Sequence, residues 1–278
     1  MGLLNGITYK RIEESEDVYK VVKLQTEIWG PEVVTPQPQL VASIHNGGIV
    51  IGAISGEQLV GFCYGFAGFK DGEAYLISHM AGILPEYQNT GIGYQLKIKQ
   101  REWAMNYGYK KMVWTYDPLE IRNGYFNVCK LGAYSKRYIP SYYGEMNDKL
   151  NKGLPTDRLL IEWDICSKRV EAAILGAYKN QTETNYESLL SFHQTCEYPT
   201  PVPHETQIIE SQGGYRVPVP SNMQIIKQQN PDVALAWRYA VRAAISEAFS
   251  GGYMITGVQR ELGSKIHFYI LEKSGGMR

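Results

Sequence analysis

Ile83-Leu84-Pro85-Glu86-Tyr87-Gln88-Asn89-Thr90-Gly91-Ile92-Gly93-Tyr94 reads as the end of a strand, a tight turn and the start of a helix. Gln88 and the two glycines are spaced so that several backbone N–H groups converge on one point. The first turn of a helix carries N–H groups without intrahelical acceptors and the positive end of the helix dipole, so it attracts a diphosphate without a lysine. Gly91 and Gly93 let the chain approach such a ligand, because a Cβ would stand in front of its oxygens. A P-loop would end in Gly-Lys-Ser/Thr, and a dinucleotide fingerprint would need a third glycine where Gln95 and Leu96 follow. The plain alternative is a strand-to-helix turn that uses glycine for backbone freedom.

Working outward, Ala74 to Leu84 is an apolar strand, and the helix after the turn carries Tyr94, Leu96, Ile98, Trp103 and Met105 among charged residues, reaching about Tyr107 before Gly108. Upstream, Ile49–Ala53 and Leu59–Phe69 read as strands separated from each other and from Ala74 by Gly56-Glu57-Gln58 and Lys70-Asp71-Gly72, the spacing of an antiparallel meander. Ile7–Ile12 reads as a strand, Glu13–Trp29 as a helix ended by Gly30-Pro31, and Gln39–His45 as a second helix closed by Gly47-Gly48. Downstream, Lys111–Tyr116 is a fifth strand, Arg122–Leu131 a short helix stopped by Gly132, and Arg158–Ile165 a late strand.

The remainder reads differently. Lys168–Tyr178 has a helical pattern, and Lys179–Gly214 is polar with Pro199, Pro201 and Pro203, as in a long connection. Tyr215-Arg216-Val217 starts a further unit. Asn230 is a helix cap with Pro231 at the first helical position, and the helix runs through Leu235, Trp237, Val241, Ile245 and Phe249 to Gly251-Gly252. Met254–Arg260 and Lys265–Leu271 then read as an antiparallel pair. The chain thus divides into 1–166, a connecting segment 167–214 and a strand-helix-hairpin extension 215–278. The extension is small for a core of its own and is expected to dock on the first domain or on a second copy of the chain, as a homodimer.

Composition bounds the rest. The chain has 278 residues, 44% of them hydrophobic, with 28 basic and 28 acidic side chains. A net charge of zero points to neither a nucleic-acid nor a membrane-surface partner, so an anion site must be local. Cys63, Cys129, Cys166 and Cys196 are scattered without a Cys-x-x-Cys pair, which argues against zinc and against a disulfide framework. No apolar run approaches a membrane span, and the N-terminus lacks signal-peptide character, so a soluble cytoplasmic protein is expected. Tyrosine, with 21 copies, suits a polar-lined pocket or a mixed sheet equally.

Gln88-x-x-Gly91-x-Gly93 after a strand ending in Ile83-Leu84-Pro85-Glu86-Tyr87 resembles the acyl-CoA pyrophosphate loop of the GNAT acetyltransferase superfamily. The order strand, helix, helix, three strands, helix, strand, helix, strand is similar to that of the GNAT fold over about Ile7–Ile165. The segments Trp114–Asn123, Tyr142–Met146 and Leu154–Trp163 look like a subgroup of predicted acyltransferases in that superfamily. The resemblance implies a mixed α/β (α+β) fold with a splayed, mostly antiparallel sheet flanked by helices.

It also implies roles. The diphosphate of acetyl-CoA, the acyl-donor substrate, would lie on Gln88, Asn89, Thr90, Gly91, Ile92, Gly93 and Tyr94. The pantetheine arm would run beside the strand, where N–H groups near Ala81, Gly82 and Ile83 would polarise the thioester carbonyl. His79, which alternation groups with Ile77, Ala81 and Ile83, is the candidate base for an acceptor amine; the alternative is a half-buried histidine bonded to a carbonyl. Glu73 sits at a turn, where a solvated carboxylate is ordinary. The superfamily's usual acid, a tyrosine before Leu-Gly, is replaced by Val128 ahead of Leu131-Gly132-Ala133. Tyr125 is the candidate substitute, with Tyr134 beyond it; packing is the other reading for both. Asn123 and Asn127 are candidates for the pantetheine amides, against a helix cap and a solvated face. Cys129 reads as inert core rather than as a nucleophile. The implied function is acyl transfer, most simply of acetyl, to an amine of a small-molecule acceptor by direct attack. A CoA-binding regulatory or interaction protein without turnover, and non-transferase chemistry on an acyl-CoA such as decarboxylation, are the alternatives.

Overall fold

A computed structural model describes residues 6–144, 153–177, 186–194, 197–202, 208, 213–261 and 263–273. Expectations on residues 1–5, Glu145, Met146, Tyr178, Cys196 and Pro203, and on 179–185, 204–207 and 209–212, lie outside them, whereas the connection expected over 167–214 contains short strands at Glu187–Ser188, Ser191–His193 and Thr200–Val202. The described residues fall into two compact units. The first comprises 6–114 with Asp164–Cys166, and the second comprises 115–144, 153–163 and those from Ser167 onward.

The first unit contains β1 (Ile7–Arg11), α1 (Ser15–Trp29), α2 (Gln37–His45), β2 (Ile49–Ser55), β3 (Gln58–Lys70), β4 (Glu73–Ile83), α3 (Ile92–Tyr107) and the start of β5 (Lys111–Tyr116). The expected meander is present: β1 to β4 pair antiparallel in chain order, and β5 joins β4 in parallel. Period-2 alternation in β3 sorts its side chains. Phe62 and Tyr64 face α1 and α2, where Phe62 meets Trp29 edge-on at 5.9 Å and Tyr64 OH shares a 2.6 Å hydrogen bond with Ser43 Oγ. Gly61, Cys63 and Gly65 face α3, and a Cβ on Gly61 or Gly65 would lie within 3.5 Å of Ile92 or Gln100. Burying Val18, Val21 and Leu24 of α1 against this sheet stabilises the layer by about 2 kcal/mol per side chain. Fully buried Gln25 pins the connection to α2, because its Oε1 accepts from Thr35 N–H at 2.8 Å and its Nε2 donates to Thr35 O at 3.3 Å.

The second unit contains α4 (Ile121–Tyr125), β6 (Tyr134–Ile139), β7 (Arg158–Asp164), α5 (Lys168–Ile174), β8 (Glu187–Ser188), β9 (Ser191–His193), β10 (Thr200–Val202), β11 (Gly214–Pro220), α6 (Met223–Gln229), α7 (Pro231–Ser250), β12 (Tyr253–Arg260) and β13 (Ile266–Lys273). Its sheet runs β7-β6-β12-β13-β11-β8, antiparallel throughout except for the β11–β8 pair. Strands β9 and β10 form a separate ribbon.

The hairpin expected at the C-terminus is β12–β13. It joins β6 through Ile255↔Ser135, so the segments 134–139 and 158–163, read in the sequence with the glycine-loop domain, share their sheet with the C-terminal extension.

Several elements differ from expectation. Strand β6 (Tyr-Ser-Lys-Arg-Tyr-Ile) has no clean alternation, because its register shifts between Ser135 and Arg137 and two cations sit side by side. The helix α6 is short and starts on the side chain of Asn222, whose Oδ1 accepts from Ile225 N–H. The helix expected over Arg122–Leu131 is α-helical only to Tyr125. Phe126–Lys130 is a π turn, closed by Leu131 N–H donating to Phe126 O at 3.1 Å.

Helix α7 is held by charge as well as by its apolar stripe of Trp237, Val241, Ile245 and Ala248. Asn230 caps it, accepting from Val233 N–H at 3.2 Å with Pro231 in its first turn. Arg238, 1% exposed, forks onto Asp117 through Nη1–Oδ1 (2.8 Å) and Nη2–Oδ2 (2.5 Å). One turn on, Arg242 forks onto fully buried Asp157 at 2.8 and 2.7 Å, and Tyr138 OH and Ser141 N–H also donate to that carboxylate.

Burial alone would raise the Asp157 pKa, but the hydrogen bonds from Arg242, Tyr138 and Ser141 outweigh it and hold the carboxyl below its usual value. Such a group stabilises the fold above the unfolded pKa of about 4, and that stability is lost as pH falls through its lower folded value. Asp157→Asn leaves Arg242 without its counter-charge and is expected to destabilise the protein by about 3 kcal/mol. Urea melts at pH 7 check this, and the gap between variant and native protein should narrow as the pH is lowered below about 4.

Candidate functional site

The glycine loop folds as its spacing requires. Pro85–Tyr87 makes one 3-10 turn, Thr90 Oγ1 donates to Tyr87 O at 2.6 Å, and Asn89 takes a left-handed φ of 60°. Gly91 precedes α3 at φ 93° with open space where a Cβ would be, so a side chain there is opposed by the backbone conformation rather than by a neighbour. Gly93 is close-packed instead, and its Cβ would meet Ile83 Cδ1 at 3.2 Å. The helical ladder starts with Gln95 N–H donating to Gly91 O at 3.1 Å. The N–H groups of Ile92 and Gly93 precede it, and Gly91 has no side chain with which to cap them. Gln88 is exposed and donates to Ile83 O at 3.3 Å; Tyr94 is half-buried in the first turn of α3.

The neighbouring strand edge is open. β4 and β5 share only the rungs Leu76↔Met112 and Ile77↔Val113. Among the described residues no later rung joins them, so Ser78–Ile83 faces that side without a strand partner. On its other side β4 stays paired to β3 up to Gly61↔Ile83. Gly82 is buried, and a Cβ on it would lie 2.7 Å from the Trp29 ring; Ala81 is exposed and Ile83 half-buried.

His79 occupies a β-bulge. Tyr64 pairs with Met80 and Gly65 with Ser78, leaving His79 as the extra residue. This corrects the alternation read from the sequence. Before the bulge, Ser78 faces α3, bonding Gln100. After it, Ile83 faces α3, while Met80 and Gly82 face the α1 and α2 side, Met80 Sδ accepting from Thr35 Oγ1. His79 lies on that second side with its ring edge-on to Tyr64 (6.1 Å) and Phe66 (5.6 Å), and so shares a face with Met80 and Gly82 rather than with Ala81 and Ile83. The residue is exposed overall, yet partial burial of the ring lowers its pKa below 6.5 and favours neutral imidazole at pH 7. Glu73, at the start of β4, is exposed.

The buried stripe of α3 consists of Ile92, Leu96, Lys97, Gln100 and Ala104, whereas Tyr94 and Ile98 are half-buried and Met105 is exposed. Lys97 escapes a sequence reading that counts apolar residues. The signal is its place, with Gln100, on the inward stripe that Ile92, Leu96 and Ala104 define. Lys97 Nζ donates to Ser78 Oγ at 2.6 Å and stands 3.8 Å from the centre of the Trp114 ring; Ser78 Oγ donates to Gln100 Oε1 at 2.6 Å. Burial brings the Lys97 pKa down to about 8.

The remaining candidates lie in the second unit. Tyr125 ends α4, half-buried, with the Arg260 guanidinium 4.7 Å and the Lys130 ammonium 5.9 Å from its ring centre. Asn123 lies inside α4 and is exposed, so it does not cap the helix, which follows Glu120. Asn127 is 4% exposed within the π turn, not on a solvated face. Val128, in the tyrosine position, is fully buried. Tyr134 opens β6, and the Cys129 thiol donates to Val258 O at 3.7 Å. No helix is long and apolar enough to cross a membrane among the described residues.

No curated protein matches the chain. Similar solved structures include smu.2055 from Streptococcus mutans (17% identity over 57% of this chain and 99% of that one, TM-score 0.47). They also include an acetyltransferase of the GNAT family from Streptococcus pneumoniae (15%, 56% and 98%, 0.45). A third is Naa50 of Arabidopsis thaliana in complex with the bisubstrate analogue CoA-Ac-MVNAL (14%, 56% and 97%, 0.45). Residues 16–126 match the family described as Acetyltransferase (GNAT) family.

Proposed function

We propose that the protein is an acyl-CoA-dependent N-acyltransferase that moves an acyl group, acetyl in the simplest case, to an amine of a small molecule by direct attack. One observation carries the reading: the glycine-opened, uncapped start of α3 lies beside the β4 edge that β5 leaves unpaired. The Ile92 and Gly93 N–H groups suit a diphosphate. The free edge from Ser78 to Ile83 suits an extended amide chain, which would pair with it as an added strand. When bound, acyl-CoA supplies an activated thioester; N–H groups on this edge near Ala81 are the donors for its carbonyl oxygen. His79, held at the bulge with neutral imidazole favoured, would accept the proton of the attacking amine. Tyr125, Asn123 and Asn127 enter this reading from their positions in the sequence motif alone.

A second reading has a specific observation in its favour. Val128, fully buried, stands where the superfamily's tyrosine would be, as expected of a CoA-binding protein without turnover. Thiol release from acetyl-CoA across a panel of amines separates the two readings. Tight acetyl-CoA binding with no CoA release over the whole panel supports the binding protein.

Gly91→Ala forces a side chain into a left-handed conformation. It should lower stability by about 1–2 kcal/mol and weaken CoA binding, as read by thermal melts and calorimetric titration. With an accepted amine, His79→Gln is expected to lower kcat by roughly a hundredfold. In the native protein the rate should rise with pH through a value below 6.5 and then level off; a His79→Gln rate that keeps this profile removes the histidine from the mechanism.

A further inference from the structure

Lys97 is an ammonium on the core stripe of α3, 6% exposed, with no carboxylate in salt-bridge range among the described residues. Its partners are the Ser78 hydroxyl, which accepts one of its hydrogens, and the Trp114 ring. Neither carries a charge. Cys63 is near enough to interact, but burial pushes its thiol up to about 12, so it supplies no anion. Ser78 turns its own hydrogen to Gln100 Oε1, and Gln100 Nε2 is buried without an acceptor. The string therefore ends in donors on both sides. A buried cation left this way is unfavourable, and an apolar residue would pack the same stripe without that penalty.

The position of the ammonium supplies a reason for it. Ile77↔Val113 is the last rung between β4 and β5. Ser78 and Trp114 are the next residue on each strand, and Lys97 Nζ contacts both. It thus stands at the base of the fork, beneath the open edge of β4, at the point toward which an acyl chain laid along that edge would extend.

We propose that Lys97 is the counter-charge for a carboxylate on the acyl group, so that the preferred donor is a CoA thioester of a dicarboxylic acid rather than acetyl-CoA. The inference rests on the acyl-transfer reading and narrows its donor. A carboxylate is an acceptor-only group; it would take up the ammonium hydrogens that Ser78 leaves unmatched and neutralise the buried charge. An acetyl methyl would do neither.

Calorimetric titration of the full chain with CoA, acetyl-CoA, malonyl-CoA and succinyl-CoA tests this without an acceptor. Native protein is expected to bind malonyl-CoA or succinyl-CoA roughly ten- to a hundredfold more tightly than acetyl-CoA, the range of a charged hydrogen bond. Lys97→Met should keep its affinity for CoA, lose that preference and melt at a higher temperature. Equal binding of all acyl-CoAs by native protein, or a preference that survives in Lys97→Met, overturns the inference and leaves the CoA cradle intact. If CoA itself fails to bind, the acyl-transfer reading falls and this inference falls with it.

Discussion

The point at which β4 stops pairing with β5 governs the first unit. In a regular parallel pair the ladder would continue beyond Ile77↔Val113, and every backbone group of β4 would be taken. Here pairing ends after two rungs, while β3 remains bonded to the other side of β4 throughout. Backbone N–H and C=O groups left on such an edge need partners, from water or from a ligand. The bulge at His79 lies two residues past the last rung and increases the local twist of the strand, so the opening and the re-aimed imidazole are neighbours on β4. The glycine loop follows directly from the same strand. Its position depends on Ile83, which packs against Gly93 and accepts the Gln88 hydrogen bond.

Polar groups inside the first unit are arranged unequally. Gln25 satisfies both ends of its amide on the backbone of Thr35, and Ser43 and Tyr64 satisfy one another. These contacts fix the helix layer on the β4 side that carries His79. The Lys97-Ser78-Gln100 string is different, because it carries a net charge and leaves a donor unmatched in the interior. Where neighbouring polar groups are closed, an open one is informative.

In the second unit, ion pairs stand beside an apolar core that includes Trp163, Tyr215, Trp237 and Tyr269. Helix α7 presents arginines one turn apart, each forked onto a separate carboxylate from the chain before β7. Asp157 accepts from a guanidinium, a phenol and a backbone N–H, so its second oxygen is as well served as its first. Pairs of this kind fix geometry more firmly than they add stability, since desolvation opposes much of the Coulomb attraction. Sheet pairing of β12 with β6 then ties the hairpin to the same layer.

The sequence by itself determined the elements whose signal is local. The meander, the uncapped glycine loop, the strand Lys111–Tyr116 and the capped helix after Asn230 all have turn chemistry or periodicity that acts over a few residues. Each lies within one or two residues of its expected bounds. The candidate diphosphate cradle was legible for the same reason, because its groups are backbone N–H groups of consecutive residues. Tertiary structure decided what depends on residues distant in sequence. The bulge at His79 exists only in register against Tyr64 and Gly65, so no alternation rule could place that side chain on its face. The π turn at Phe126–Lys130 hid the surroundings of Asn127, and β6 lacked alternation because a register shift interrupts it. The partners of Arg238 and Arg242 are separated from them by most of the second unit, and charge alone does not name a partner. Lys97 belongs to the charged residues of its helix by type, and only the packing of α3 onto the end of the β4–β5 ladder turned it inward.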